Sequence, residues 1–188
     1  MANRTQIVCL HEGTKGSVDS VFINRLLRSL EPSWIRPWSG SNIVRLEPCG
    51  GRINLISRFP KELRGVLAAG GNTTLMVWAD ADHDMADCDS LKGAFWEEAQ
   101  KQSITRPQFD QVVFAFAKDR IENWIEFLNT GITDESQEGP RVKNGADAAK
   151  AARTLADHCS SGAPIPNIPP SLEWSCRNWR ALADRLRQ

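Results

Sequence analysis

The chain reads as an α/β protein of the Rossmann-like kind, a largely parallel four-stranded sheet with helices on both faces and further helices at the C-terminal end. Three observations predict this. Short apolar runs of strand length alternate with longer segments of helical periodicity, the order that demands crossover connections and parallel strands. Turn signals follow the runs, with His11-Glu12-Gly13 after the first and Pro48 before Gly50-Gly51 after the second. Acidic residues cluster where strands stop, above all in Leu75-Met76-Val77-Trp78-Ala79-Asp80-Ala81-Asp82-His83-Asp84. In an open parallel sheet the C-terminal ends of the strands form the edge where ligands bind.

The elements follow in order. Gln6 to Leu10 is a first buried strand. Ser17 caps a helix whose apolar positions Val18, Val21, Phe22, Leu26 and Leu30 recur at helical spacing. Pro32 and Pro37 bracket an irregular connection, and Ile43 to Leu46 is a second strand. Arg52 to Ala69 is helical, with Pro60 expected to divide it, since an interior proline loses a hydrogen bond and crowds the preceding turn. The acid-tipped run is the third strand. Asp89 or Ser90 is expected to cap a helix carrying Leu91, Phe95, Trp96 and Ala99, and Gln111 to Ala117 is a fourth strand.

Asp119-Arg120-Ile121-Glu122 then has capping-box form and opens a helix with Ile121, Trp124, Ile125 and Leu128 on one face, ending near Gly131. After a polar loop from Gly131 to Arg141 come an Ala-rich helix (Asp147 to Cys159), a proline-rich connector (Ser160 to Pro170) and a last amphipathic helix (Leu172 to Leu186). Arg177, Arg180, Arg185 and Arg187 make the exposed side of that helix basic. The expected organisation is one domain over 1–188, with a core at about 5–130 and a helical extension at about 144–188.

Composition narrows the function classes. With 23 basic and 23 acidic residues in 188, the chain is no basic nucleic-acid coat, and any such contact needs a local patch. The five cysteines are odd in number and lack metal-finger spacing, which favours a cytoplasmic, disulfide-free protein. No apolar stretch is long enough to span a bilayer, and the N-terminal residues lack signal-peptide form.

Asp80 and Asp82 are spaced two apart on a strand, so they are expected on one face. Like charges held together call for a cation between them, and a divalent metal with hard oxygen ligands is the simplest one. Glu12 ends another strand. If the first and third strands are neighbours, Glu12, Asp80 and Asp82 meet. Each acid alone also fits a solvated turn. Rival motifs fail on the letters. A calcium loop from Asp80 would need Gly at Met85 and Glu at Leu91, and Gly13-Thr14-Lys15-Gly16 matches neither a dinucleotide fingerprint nor a P-loop. A dehalogenase-type phosphatase would carry Thr or Val where Asp84 stands and would place its motif nearer the start of the chain.

The pair His11-Glu12-Gly13 and Asp80-Ala81-Asp82, in that order on strand ends, resembles the Toprim domain of topoisomerases, bacterial primases and OLD-family nucleases. Arg120-Ile121-Glu122-Asn123-Trp124 is also similar to a helix start in small stand-alone bacterial Toprim-like proteins, several of them tied to phage defence. The resemblance covers about two-thirds of the chain. It implies Mg²⁺ (or Mn²⁺) held by Glu12, Asp80 and Asp82, with Glu12 also a general acid/base. Asp84, Lys118, Arg120, Glu122 and Lys143 are supporting candidates.

The family's usual acid after the first strand is missing, because Gly13-Thr14-Lys15-Gly16 stands where an OLD-like chain reads Gly-x-Thr-Glu. The resemblance implies phosphodiester chemistry on nucleic acid, DNA ahead of RNA, as a nuclease and a phage-defence effector. The alternatives are a non-catalytic or partner-activated subunit working with an ATPase or sensor protein and, further off, a small-molecule phosphohydrolase. A homo-oligomer is compatible with either.

Overall fold

The computed structural model describes residues 6–30, 44–142 and 145–187, with side chains described as far as residue 180. Four strands form one all-parallel sheet: β1 (Gln6–His11), β2 (Val44–Pro48), β3 (Thr73–Ala81) and β4 (Val113–Lys118), in the order β2-β1-β3-β4. The described helices are α1 (Val18–Ser29), α2 (Arg52–Ala69), α3 (Cys88–Lys101), α4 (Arg106–Phe109), α5 (Ile121–Thr130), α6 (Gly145–Ser161) and α7 (Pro170–Arg187). The chain is therefore α/β and Rossmann-like. None of the described helices is long and apolar enough to cross a membrane.

Strand alternation builds two cores. Ile7, Cys9, Met76, Trp78, Val113, Ala115 and Ala117 face α1, α5, α6 and α7. Val8, Leu10, Leu75, Val77, Ala79, Phe114 and Phe116 face α2, α3 and α4. Sheets buried on both sides read as unbroken apolar runs, which is why these strands lack polar alternation. On the first side Trp78 meets Phe22, Trp124 and Trp179 at ring-centroid distances of 5.9, 5.6 and 5.6 Å. On the second, Phe59 meets Phe95 and Phe109 edge-on at 5.2 and 5.8 Å. The alanines of α6 (Ala148, Ala151, Ala152 and Ala156) are buried beside α1 and α5, where a small side chain lets helices approach closely.

The last helix closes an edge. Ser175, fully buried on α7, accepts a hydrogen bond from the Phe116 amide at 2.9 Å and donates to the Phe116 carbonyl at 3.2 Å. Trp174 stacks on the Phe116 ring at 5.4 Å and donates to Asp89 at 3.1 Å. A helix thus supplies what a fifth strand would otherwise give β4. The start of α7 is held in turn by Glu135, which accepts from both the amide and the hydroxyl of Ser171.

Three local expectations are corrected, and one short helix is new. The helix over Arg52–Ala69 runs unbroken through Pro60, because Leu55, Phe59, Pro60, Leu63 and Val66 are all buried against the sheet, and packing on both sides of the proline outweighs one missing hydrogen bond. The cap of α3 is Asp87, not Asp89 or Ser90; its carboxylate accepts from the Ser90 amide at 2.8 Å. The cap of α5 is Arg120, not Asp119. Asp119 stays with the sheet. Its amide donates to Ala81 at 2.9 Å, its φ is +61°, and no capping box forms. The one-turn helix α4 has no counterpart in the sequence reading. Ser17 caps α1 as expected, and Gly131, at φ +83°, ends α5 in the left-handed conformation that glycine adopts freely. Pro32, Pro37 and Ile43 lie outside the described residues.

Candidate functional site

Parallel register brings Glu12 to Asp80. His11 pairs with Trp78 across β1 and β3, the Glu12 amide donates to Trp78 at 3.2 Å, and the Glu12 carboxylate accepts from the Asp80 amide at 3.1 Å. The Gly50-Gly51 turn fixes the same corner. Gly51 donates to the Glu12 carbonyl at 2.8 Å and Gly50 to the Gly13 carbonyl at 3.3 Å, with φ of +123° and +68° that suit glycine. Gly13 itself has no room for a side chain. A Cβ there would overlap the side-chain oxygens of Asp19 and Ser17.

The acids at this edge crowd one another. Burial pushes the Asp80 carboxyl well above its usual range, and Asp19, Glu12, Glu122 and Asp82 push it the same way. Burial also raises Glu12; the Asp80 amide and Arg52 oppose that, and Asp82 and Asp19 add to it. Glu122, in the first turn of α5, is raised by burial and by Asp19 and Asp119, against its own amide and Arg120. Four carboxylates, from the residue after β1 and from α1, β3 and α5, therefore share one region of the C-terminal edge. Groups displaced in this way by burial and like charge are a physical mark of a functional site.

His11 lies beneath them, buried, and desolvation lowers its pKa against the pull of Asp19. The Ser20 hydroxyl donates to the Thr14 carbonyl at 3.0 Å and lies 3.2 Å from His11 Nε2. A hydroxyl has one proton; with it given to Thr14, the ring donates through Nε2, and among the described residues Nδ1 is a buried acceptor with no hydrogen-bond partner. A cavity of about 10 Å³, the size of one water, is lined by His11, Glu12, Asp19, Trp78 and Asp80 among others.

Asp82 and Asp84 take another course. β3 ends at Ala81, so strand alternation no longer governs Asp82. Both acids turn to Arg52 at the start of α2, with Nη1 3.1 Å from Asp82 and Nη2 2.6 Å from Asp84. Crowded acids need a cation between them, and for this pair the fold supplies a guanidinium. Lys118 secures the turn, its ammonium donating to the carbonyls of Met85 at 2.5 Å and Asp82 at 3.5 Å. His83 Nε2 lies 3.2 Å from the buried carboxylate of Asp119. Arg120 pairs with Glu138 of the following loop rather than with the acids. Lys143 lies outside the described residues.

Of the residues named from sequence, the structure brings Glu12, Asp80 and Glu122 into one electrostatic group and places Asp82 at its border. Asp84, Lys118 and Arg120 serve neighbouring contacts. Sequence reasoning passed over Asp19 and Arg52. Asp19 sits two residues after the Ser17 cap and accepts from its hydroxyl at 3.1 Å. A helix start directly after an acid-tipped strand was the available signal. Arg52 follows the Gly50-Gly51 turn at the same sheet edge, where a cation facing Asp82 was foreseeable.

Carboxylate oxygens of this number suit a hard divalent cation. The side chains as placed are not drawn to a common point: among the described residues no three His, Cys, Asp or Glu side chains are grouped to hold a metal ion. The donor chemistry fits; bringing the carboxylates to a shared ion would take side-chain movement.

The fold and this edge define an α/β protein with an acidic centre at the strand ends. Compared with protein-family models, with curated proteins and with solved structures, the chain matches none.

Proposed function

We propose that the acidic edge binds Mg²⁺ or Mn²⁺ and that the protein is a Toprim-like phosphodiesterase acting on nucleic acid, a nuclease with DNA as its first expected substrate. The observation that carries this reading is the crowding of Glu12, Asp80 and Glu122 around Asp19; the first three have carboxyl pKa values raised by burial and neighbouring negative charge, which a divalent cation would relieve. Asp19 stands in for the acid missing from Gly13-Thr14-Lys15-Gly16. Glu12 and Asp80 would hold the ion, with Asp19 and Glu122 beside them and Asp82 within reach if released from Arg52. When bound, the ion supplies Lewis-acid stabilisation of phosphate charge and a more acidic water. Glu12, already raised, is suited to hold and deliver a proton at the leaving oxygen. Arg52 offers positive charge to a phosphate at the same edge.

The test is cleavage of plasmid and single-stranded DNA with Mg²⁺ or Mn²⁺, comparing wild type with Asp80→Ala. Equal cleavage by both proteins refutes the assignment. A second reading is a subunit activated by a partner such as an ATPase or sensor protein. It is favoured by the guanidinium already holding Asp82. Cleavage by the purified, partner-free chain would exclude it.

A further inference from the structure

The C-terminal helices carry a feature independent of the acidic edge. Cys159 near the end of α6 and Cys176 on α7 have their thiols hydrogen-bonded to each other. Both are half-buried and pack against the core shared by α1, α5, α6 and α7. One cavity of about 280 Å³ opens on both residues, and His158, Arg177 and Arg180 line it with a single acid, Glu173. The remaining cysteines are placed differently. Cys9 and Cys88 are buried, and Cys49 donates to the Glu47 carbonyl beside acidic side chains.

Two thiols already in contact need only rotamer adjustment to bond, provided an oxidant reaches them, and the cavity gives it a path. Arg177 and Arg180, both exposed, give that path a positive rim. The partner thiol and burial hold the Cys176 thiol well above its ordinary pKa, and Arg180 opposes them.

We propose that Cys159 and Cys176 form a reversible dithiol site, oxidised to an intramolecular disulfide by an anionic low-molecular-weight disulfide of the glutathione type. One protein thiolate attacks a sulfur of the small disulfide and expels one small thiolate. The second protein thiolate then attacks the resulting mixed disulfide and expels the other. Two electrons pass from the protein to the small disulfide, and the two thiol protons leave on the two small thiols. The new bond staples α6 to α7 across the proline-rich connector and holds α7 against β4.

The test uses the full chain, reduced, desalted and exposed to glutathione disulfide. Expected are a loss of two hydrogens in intact mass, a cross-linked peptide pair containing Cys159 and Cys176, reversal by dithiothreitol, and an upward Tm shift of about 6–12 °C for a loop of this length. Cys159→Ser and Cys176→Ser should each trap one glutathione as a mixed disulfide instead. Peptide mapping of the wild type does not depend on the variants folding. An unchanged mass, a cross-link through Cys49, or wild-type protein that stops at mixed disulfides would each overturn the proposal.

Discussion

Replacing Arg52 by Gln removes the guanidinium that bridges Asp82 and Asp84. The two contacts, at 3.1 and 2.6 Å, correspond to about 1.3 and 1.6 kcal/mol for unit charges at the dielectric constant of water. The acids are more than half exposed, at 52% and 58%, while the Arg52 side chain is 18% exposed. Solvent screening and the entropy of holding long side chains reduce the pair together to about 1 kcal/mol. Denaturant unfolding at pH 7 and low ionic strength should show that loss, with a Tm lower by about 2–4 °C. The deficit should shrink at 1 M salt, where the screening length falls to about 3 Å. Double-mutant cycles with Asp82→Asn and Asp84→Asn should each return a coupling of a few tenths of a kcal/mol or more. Since Arg52 holds the Glu12 carboxyl down, the Glu12 titration followed by NMR should move upward in the variant. Unchanged stability with zero coupling to both acids would refute the bridge.

Other outcomes follow from the same geometry. Asp80, Glu12 and Glu122 bind protons more tightly folded than unfolded, so the metal-free protein should lose stability as pH rises from the ordinary carboxylate range, near 4, towards their raised values. Asp80→Asn should flatten that decline and stabilise the protein at neutral pH, and, if the proposed metal site is correct, should weaken a Tm gain expected from millimolar Mg²⁺ in wild type. A pH-independent wild type would contradict this. Ser175→Ala strands the buried Phe116 amide and leaves its carbonyl only the weak Cys88 thiol donor at 3.6 Å, and should cost about 1–3 kcal/mol by denaturant unfolding; a cost under about 0.5 kcal/mol would mean that water replaces the hydroxyl. Gly13→Ala should force Asp19 and Ser17 away from the corner, weakening Mg²⁺ binding by calorimetry more than it lowers stability.

The parallel sheet was legible because both of its faces are buried, which leaves apolar runs such as Val113–Ala117 unmistakable. Glu12 and Asp80 were legible as strand-end acids for the same reason. Asp119 misled because its letters satisfy a capping box, while its backbone is still committed to the Ala81 carbonyl. Asp87 was missed as a cap because Asp89 and Ser90 stand nearby with equal local claim. The partnership of Arg52 with Asp82 and Asp84 depends on where α2 begins relative to the end of β3, a tertiary fact that no local pattern carries. So does the electrostatic proximity of Asp19 and Glu122, which lie on helices far apart in sequence.

The seal that α7 places on β4 has a consequence in time. Ser175 lies 59 residues beyond Phe116, the residue whose amide and carbonyl it satisfies. At about 5–20 residues per second, a ribosome takes roughly 3–12 s to make that intervening chain. For those seconds the nascent sheet presents an open apolar strand to any neighbour. Early chains are thus the sticky ones, and a chaperone acting on this protein has its work concentrated between the synthesis of β4 and that of α7.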